Sequence, residues 1–144
     1  MRYQHGGDPA FLTLLDGAVR TQNWTARHEE PLVPADAAEL VIVACAGHAL
    51  FEEVQSEQLW ARRCRDGRYE ILSAAFVAYA LYVGDVVRVE QSEHRLPRVV
   101  GVDERSGRRL LRVQASEDGH ASRVRSSLDA QEQAGALVYE TAWP

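Results

Sequence analysis

Between Gln58 and Gln114 short apolar stretches alternate with glycine-bearing turns at a spacing that suits strands and little else. The turns are Asp66-Gly67, Gly84-Asp85 and Ser106-Gly107. Asp66-Gly67 lies between two arms, Gln58–Cys64 and Arg68–Leu72. Asp-Gly is tight-hairpin chemistry, because both central residues of such a turn can be asked for positive φ. In Val86-Val87-Arg88-Val89-Glu90, Val87 and Val89 share one face while Arg88 and Glu90 share the other. That is the two-residue period of a half-buried strand. Arg98–Val102 and Arg109–Gln114 flank the turn at Asp103–Gly107, with Leu111 and Val113 facing one way. Upstream, Leu40–Ala46 is uncharged and rich in β-branched residues, as a buried strand is, and Gly47 ends it. Phe76–Tyr82 is apolar and aromatic and fits a short helix, an irregular crossing or a strand.

After Gln114 the period changes. Ala121, Val124, Leu128 and Ala134 fall near one helical stripe, with Arg125, Asp129 and Glu132 largely on the wet side. Gly135 stands just past the end of a helix expected over about 119–134. A strand at about 136–141 follows. The expected fold class is α+β. A small, strongly bent antiparallel sheet or partial barrel over about residues 40–114 leads to a strand-helix-strand lobe, whose two strands need not be neighbours. Residues 1–39 read as an N-terminal extension, a packing or dimerisation arm, ahead of an α+β domain at 40–144. Within it Phe11–Leu15 suggests one or two helical turns, started by Asp8-Pro9. Thr21–Ala38 is polar, with Pro31 and Pro34 and no period, although Trp24 favours packing.

A chain of 144 residues supports one core, burying roughly two thirds of the surface the unfolded chain exposes. All 16 basic residues are arginine, and the formal net charge is −5. Without lysine there is neither a Schiff-base residue nor a phosphate-loop lysine. The acidic balance argues against a nucleic-acid partner, which needs a basic face. Cys45 and Cys64 are expected as buried free thiols. The apolar part of the N-terminus is interrupted by Asp16 and Gly17, unlike a signal peptide. The most apolar run, Leu40–Leu50, is too short to span a bilayer. No membrane partner and a cytoplasmic location are therefore expected.

From about Leu40 onward the chain resembles DUF4265, an uncharacterised bacterial family defined only as a domain of unknown function. The resemblance rests on the order of short motifs over about residues 40–144. The family's Glu-x-Leu-Trp-Ala segment corresponds to Glu57-Gln58-Leu59-Trp60-Ala61, and its Gly-x-Tyr turn to Gly67-Arg68-Tyr69. Its aromatic stretch corresponds to Ser73–Ala80, and its Gly-Asp-Val-Val element to Gly84-Asp85-Val86-Val87. Its Ser-Gly-His turn corresponds to Ser106-Gly107-Arg108. Three positions depart: Ser73 and Ala75 stand where the family has Asn and Pro, and Arg108 stands where it has His. A catalytic role for that histidine would be lost here. The resemblance implies fold boundaries and no activity.

Four residues are candidate ligand contacts: Trp60, Tyr79, Asp85 and Arg108. Asp85 reads first as a turn residue whose carboxylate accepts nearby backbone N–H bonds, and second as a ligand contact. Ser106-Gly107-Arg108-Arg109 offers guanidinium groups suited to a phosphate or carboxylate, yet a solvated mixed-charge tip needs no ligand. Trp60, Phe76, Tyr79 and Tyr82 read as core aromatics or as a stacking surface. Cys45 and His48 have the types of a nucleophile and a base, without a third orienting group. Glu57 can pair with an arginine and need not be catalytic. The five histidines are scattered without ligand spacing, so neither metal nor cofactor is expected. The balance favours a non-enzymatic small-molecule-binding or accessory protein. Its rivals are a small hydrolase or isomerase using Asp85 or Cys45 with His48, and a protein-protein interaction module. A homodimer through the head or an open sheet edge fits either binding class.

Overall fold

The computed structural model describes residues 10–16, 24–28, 30–46, 54–76, 78, 80–115 and 120–142. In chain order the described elements are β1 (Ala10–Asp16), β2 (Trp24–Arg27), β3 (Leu40–Ala46), β4 (Val54–Arg63), β5 (Tyr69–Ile71), β6 (Val86–Ser92), β7 (Arg95–Glu104), β8 (Leu110–Ala115), α1 (His120–Gln133) and β9 (Leu137–Ala142). None of the described helix is long and apolar enough to cross a membrane.

Alternation builds the first sheet. Glu57, Leu59 and Ala61 of β4 point inward, as do Val43 and Cys45 of β3 and Val87 of β6. Val43, Leu59, Ala61, Ile71 and Val87 are fully enclosed in one cluster, with Val89 packed against it. Arg88 and Glu90 stay outside, as their parity requires. The strands run β4-β3-β7-β6-β5, and β5 pairs back onto β4, so five strands close into a barrel. Four of the pairings are antiparallel. The fifth, between β3 and β7 at Ala44 and Arg98, is parallel, a departure from an all-antiparallel sheet. Register shifts within the β6–β7 ribbon bend it around the core.

The hairpin between β4 and β5 forms where expected, through a different turn. Only Gly67 has positive φ, at 83°. The Gly67 N–H donates to Cys64 O, and the Cys64 N–H to Arg68 O. This is a three-residue loop closing on a left-handed glycine, in place of a two-residue turn. Of the stretch Phe76–Tyr82, the described residues form neither helix nor strand.

The second sheet is parallel, in the order β8-β1-β9. β8, α1 and β9 form the expected strand-helix-strand unit, and β1 sits between its two strands. Arg109–Gln114 therefore leaves the barrel and joins this sheet. The helical turns expected at Phe11–Leu15 are strand instead. β1 is the central strand of a parallel sheet, and a short, largely apolar run carries too little period to separate strand from helix. β2 pairs with β4, so the segment before residue 40 supplies strands to both sheets. One face of the second sheet carries α1, with Leu128 and Leu137 enclosed among Val113, Val124 and Tyr139. The opposite parity meets the barrel: Val138 packs with Ala74 and Val83, beside Leu32, Val33 and Leu110. The two lobes thus share packed surface. Leu111 has the parity of Val113 but is 61% exposed.

Ile71→Ala is expected to lower unfolding free energy by about 2–5 kcal/mol, since it empties space in the closed barrel. Leu111→Ala is expected to change it by less than about 0.5 kcal/mol. Urea denaturation of both variants checks the contrast, and equal losses would contradict this placement of the core.

Candidate functional site

The described residues of the crossing from β5 to β6 are largely irregular and are held by side-chain hydrogen bonds. Its far end is the turn Tyr82–Asp85, closed by the Asp85 N–H donating to Tyr82 O at 3.0 Å. Gly84 has φ 88°, a conformation that a β-carbon opposes. A β-carbon there would also stand 2.9 Å from Arg108 Nη1 and 2.9 Å from Ser106 Cβ. Two independent constraints therefore ask for glycine, and the second seats the Arg108 guanidinium over the turn.

Asp85 is fully buried. Its Oδ2 accepts the Tyr82 N–H at 3.0 Å and Arg105 Nη1 at 3.0 Å. Its Oδ1 accepts the Ser106 N–H at 2.9 Å. Arg105 also donates to Ala80 O and lies 6.0 Å from the centre of the Tyr82 ring. Asp85 is thus both a turn residue and a clamp that fastens the crossing to the segment after β7. Ala80, exposed between these contacts, has φ 56°, the left-handed region that a non-glycine residue enters at a cost of about 1–3 kcal/mol.

A second buried carboxylate holds the near end of the crossing. Glu57 Oε2 accepts the Phe76 N–H at 2.7 Å, and Oε1 accepts the Ala78 N–H at 2.9 Å. His28 Nε2 lies 2.6 Å from Oε2, and neither side chain is exposed. The carbonyls of the same two loop residues go to Arg112 of β8: Nε donates to Phe76 O at 2.9 Å and Nη2 to Ala78 O at 2.5 Å. Together the carboxylate and guanidinium supply what a neighbouring strand would supply. This satisfies backbone groups that burial would otherwise make costly. The His28 ring stacks on Phe76, with centres 3.9 Å apart. Trp60 Nε1 donates to His28 O at 3.1 Å, and the Trp60 N–H to Ser73 Oγ at 3.0 Å.

The candidate contacts accordingly divide. Asp85 and Arg108 meet at one turn. Trp60 sits with His28 and Ser73, near the other carboxylate. Tyr79 and His48 lie outside the described residues, so the Cys45–His48 pair has only its thiol placed. Of the aromatic residues, Phe76 stacks on His28 and Tyr82 lies near Arg105. Glu57 Oε2 lies beside the His28 ring. The parity of Glu57 with Leu59 and Ala61 carried the signal that its carboxylate points inward. For His28, Arg105 and Arg112 the sequence carries no comparable signal.

Cys45 is buried and Cys64 half-buried, and both are free. Burial, with the nearby Glu57 charge, pushes the Cys45 thiol far above its ordinary value. Burial also raises Cys64, helped by Asp66 and Glu70. A thiol held protonated is a poor nucleophile. Among the described residues no group of three or more His, Cys, Asp or Glu side chains is placed to hold a metal ion.

The chain belongs to the family described as Domain of unknown function (DUF4265), whose model matches residues 57–141. The match begins at Glu57 and spans both carboxylates, Arg105, Arg108 and Arg112, while His28 precedes it. No curated protein and no solved structure matches the chain significantly.

Glu57→Gln places an amide N–H₂ group against backbone donors and is expected to destabilise the fold by about 3–5 kcal/mol, as breaking a buried pair does. Chemical denaturation measures it, and a loss below about 1 kcal/mol would mean the carboxylate is not holding the crossing. The thiols give a pH prediction. Their folded values lie above the ordinary 9.0, so their stabilising share is complete below that pH and is lost as pH rises past it. Tyr139, pushed up to about 12 by burial and by donating to Asp129, acts in the same direction. The denaturation midpoint should therefore fall steadily above about pH 9. At pH 8 a thiol reagent should modify Cys45 only after unfolding. Rapid labelling of Cys45 in the folded chain would contradict its placement.

Proposed function

We propose that this protein is a non-enzymatic small-molecule-binding or accessory protein, with its ligand met at the crossing 76–85 and the adjoining tip 105–108. One observation carries this reading: two fully buried carboxylates, Glu57 and Asp85, both hold this single segment, which also bears the strained Ala80. Buried charges are expensive to desolvate and are a poor source of net stability. Their use here fits conformational specification. A loop fixed before its ligand arrives loses less entropy on binding. Among the candidate contacts, Arg108 presents its guanidinium at the turn, Asp85 positions the turn, and Tyr79 belongs to the same segment. Trp60 serves the other end by bonding His28.

The engagement of the reactive groups supports binding over catalysis. Both Asp85 oxygens accept donors from this chain, and the Cys45 thiol is held protonated. Two free cysteines suit a reducing cytoplasm. The net charge of −5 favours a small molecule or a protein over nucleic acid as partner.

Native mass spectrometry of protein purified from its own cells, alongside Asp85→Asn and Arg105→Gln, tests the proposal. The wild type is expected to retain a small molecule that both variants lose while circular dichroism still reports a folded barrel. Retention undiminished in the two variants would put the ligand elsewhere. Turnover of that molecule by the wild type, abolished in Asp85→Asn, would make the protein an enzyme.

A further inference from the structure

We infer that the segment 24–33 is a strap, with His28 as its positioning residue, and that the near end of the crossing is set for its ligand only while the strap is closed. The inference rests on the binding reading above and adds the element that controls the site. β2, the start of the strap, lies on β4 as an added parallel strand, while β5 closes the barrel onto β4 without it. The pairing runs for four residues and slips register between Trp24 and Thr25. Parallel pairing stabilises slightly less per residue than antiparallel pairing. The strap can therefore lift while the barrel stays shut. It also stands ahead of the family match, which begins at Glu57.

Past β2 the strap takes hold twice more. Three contacts meet at His28: Nε2 lies 2.6 Å from Glu57 Oε2, the ring stacks on Phe76 with the planes 18° apart, and the carbonyl accepts Trp60 Nε1. Farther on, the Leu32 and Val33 N–H groups both donate to Leu72 O, at 2.8 and 3.2 Å, and both side chains pack beside Ala74, Val83 and Val138. Pro31 and Pro34 bracket that pair. Their rings fix φ at about −65° and limit the chain entropy lost when the strap is laid down. The far end of the crossing is held differently. Asp85 takes the Tyr82 N–H, Arg105 and the Ser106 N–H, none of them from the strap. Glu57 instead uses one oxygen for both segments, since Oε2 meets His28 Nε2 and the Phe76 N–H. A change at His28 is therefore felt at Phe76 and, through the second oxygen, at Ala78. The strap acts on one end of the crossing and leaves the other to Asp85.

Hydrogen exchange of backbone and indole N–H groups, followed by NMR in the full chain, tests the strap without a ligand. In the wild type under rising urea, the Phe76 and Ala78 N–H groups and the Trp60 indole N–H are expected to open together, ahead of the β3–β4 ladder. In His28→Ala the Phe76 and Ala78 amides should exchange roughly tenfold faster or more, with Tyr82 and Ser106 unchanged. Added imidazole should restore the protection, which it would not do for a general loss of stability. Opening of the Trp60 indole only together with the ladder would overturn the inference. So would equal acceleration at Tyr82 and Ser106, or a failure of imidazole to rescue. If His28→Ala does not fold, the wild-type pattern alone decides. Native mass spectrometry of His28→Ala should also show the retained small molecule lost. Undiminished retention despite faster exchange would break the link between strap and ligand. A wild type that retains no molecule would sink the binding reading and leave the exchange pattern to judge the strap.

Discussion

A carboxylate enclosed among apolar side chains must have its oxygens engaged, and Glu57 meets that demand by organising three separate parts of the chain. It takes the N–H groups of Phe76 and Ala78 and the imidazole of His28. Desolvating an ion costs several kcal/mol before any interaction is made. The hydrogen bonds to it must therefore all form together. This coupling ties the folding of β4 to the path of the crossing and to the segment around His28. Phe76 and Trp60 complete the enclosure by contacting His28 through its ring face and its carbonyl.

Arg112 extends that organisation into the second lobe. It stands on β8, pairs its guanidinium with the carbonyls of Phe76 and Ala78, and so makes the barrel's irregular crossing the place where the lobes meet. Val138 packs against Ala74 and Val83 beside it. An irregular segment between two sheets would leave backbone groups stranded. Here charged side chains reaching from β4 and β8 replace the missing ladder. Ser73 belongs to the same solution, accepting the Trp60 N–H with its hydroxyl. An Asn side chain, which the family resemblance places at this position, carries an acceptor as well.

Asp85 acts by the same physics at the other end of the crossing. Its oxygens unite Tyr82, Arg105 and Ser106, and the Arg105 guanidinium secures Ala80 in a left-handed conformation. Strain at one exposed residue persists only where the surroundings over-determine it. Two clamps on one short segment provide that over-determination. This over-determination is what supports the proposal that the ligand is met at the crossing.

Local chemistry was legible in the sequence. The β6 alternation, the Asp66-Gly67 hairpin, the helix ending before Gly135 and the strand after it each depend on neighbours a few residues apart. The turn role of Asp85 was equally local. Partner choice was not legible, because the period of a strand names its faces and leaves its neighbours open. Phe11–Leu15 suggested helical turns, and its place between β8 and β9 makes it a strand. His28 and Glu57 stand 29 residues apart, and Arg112 stands 34 and 36 residues from the carbonyls it binds. The sequence by itself determined the β6 alternation, the place of the hairpin at Asp66-Gly67 and the helix and strand on either side of Gly135. Tertiary structure alone decided which groups neutralise the buried carboxylates, because that depends on where closure of the barrel brings distant donors together.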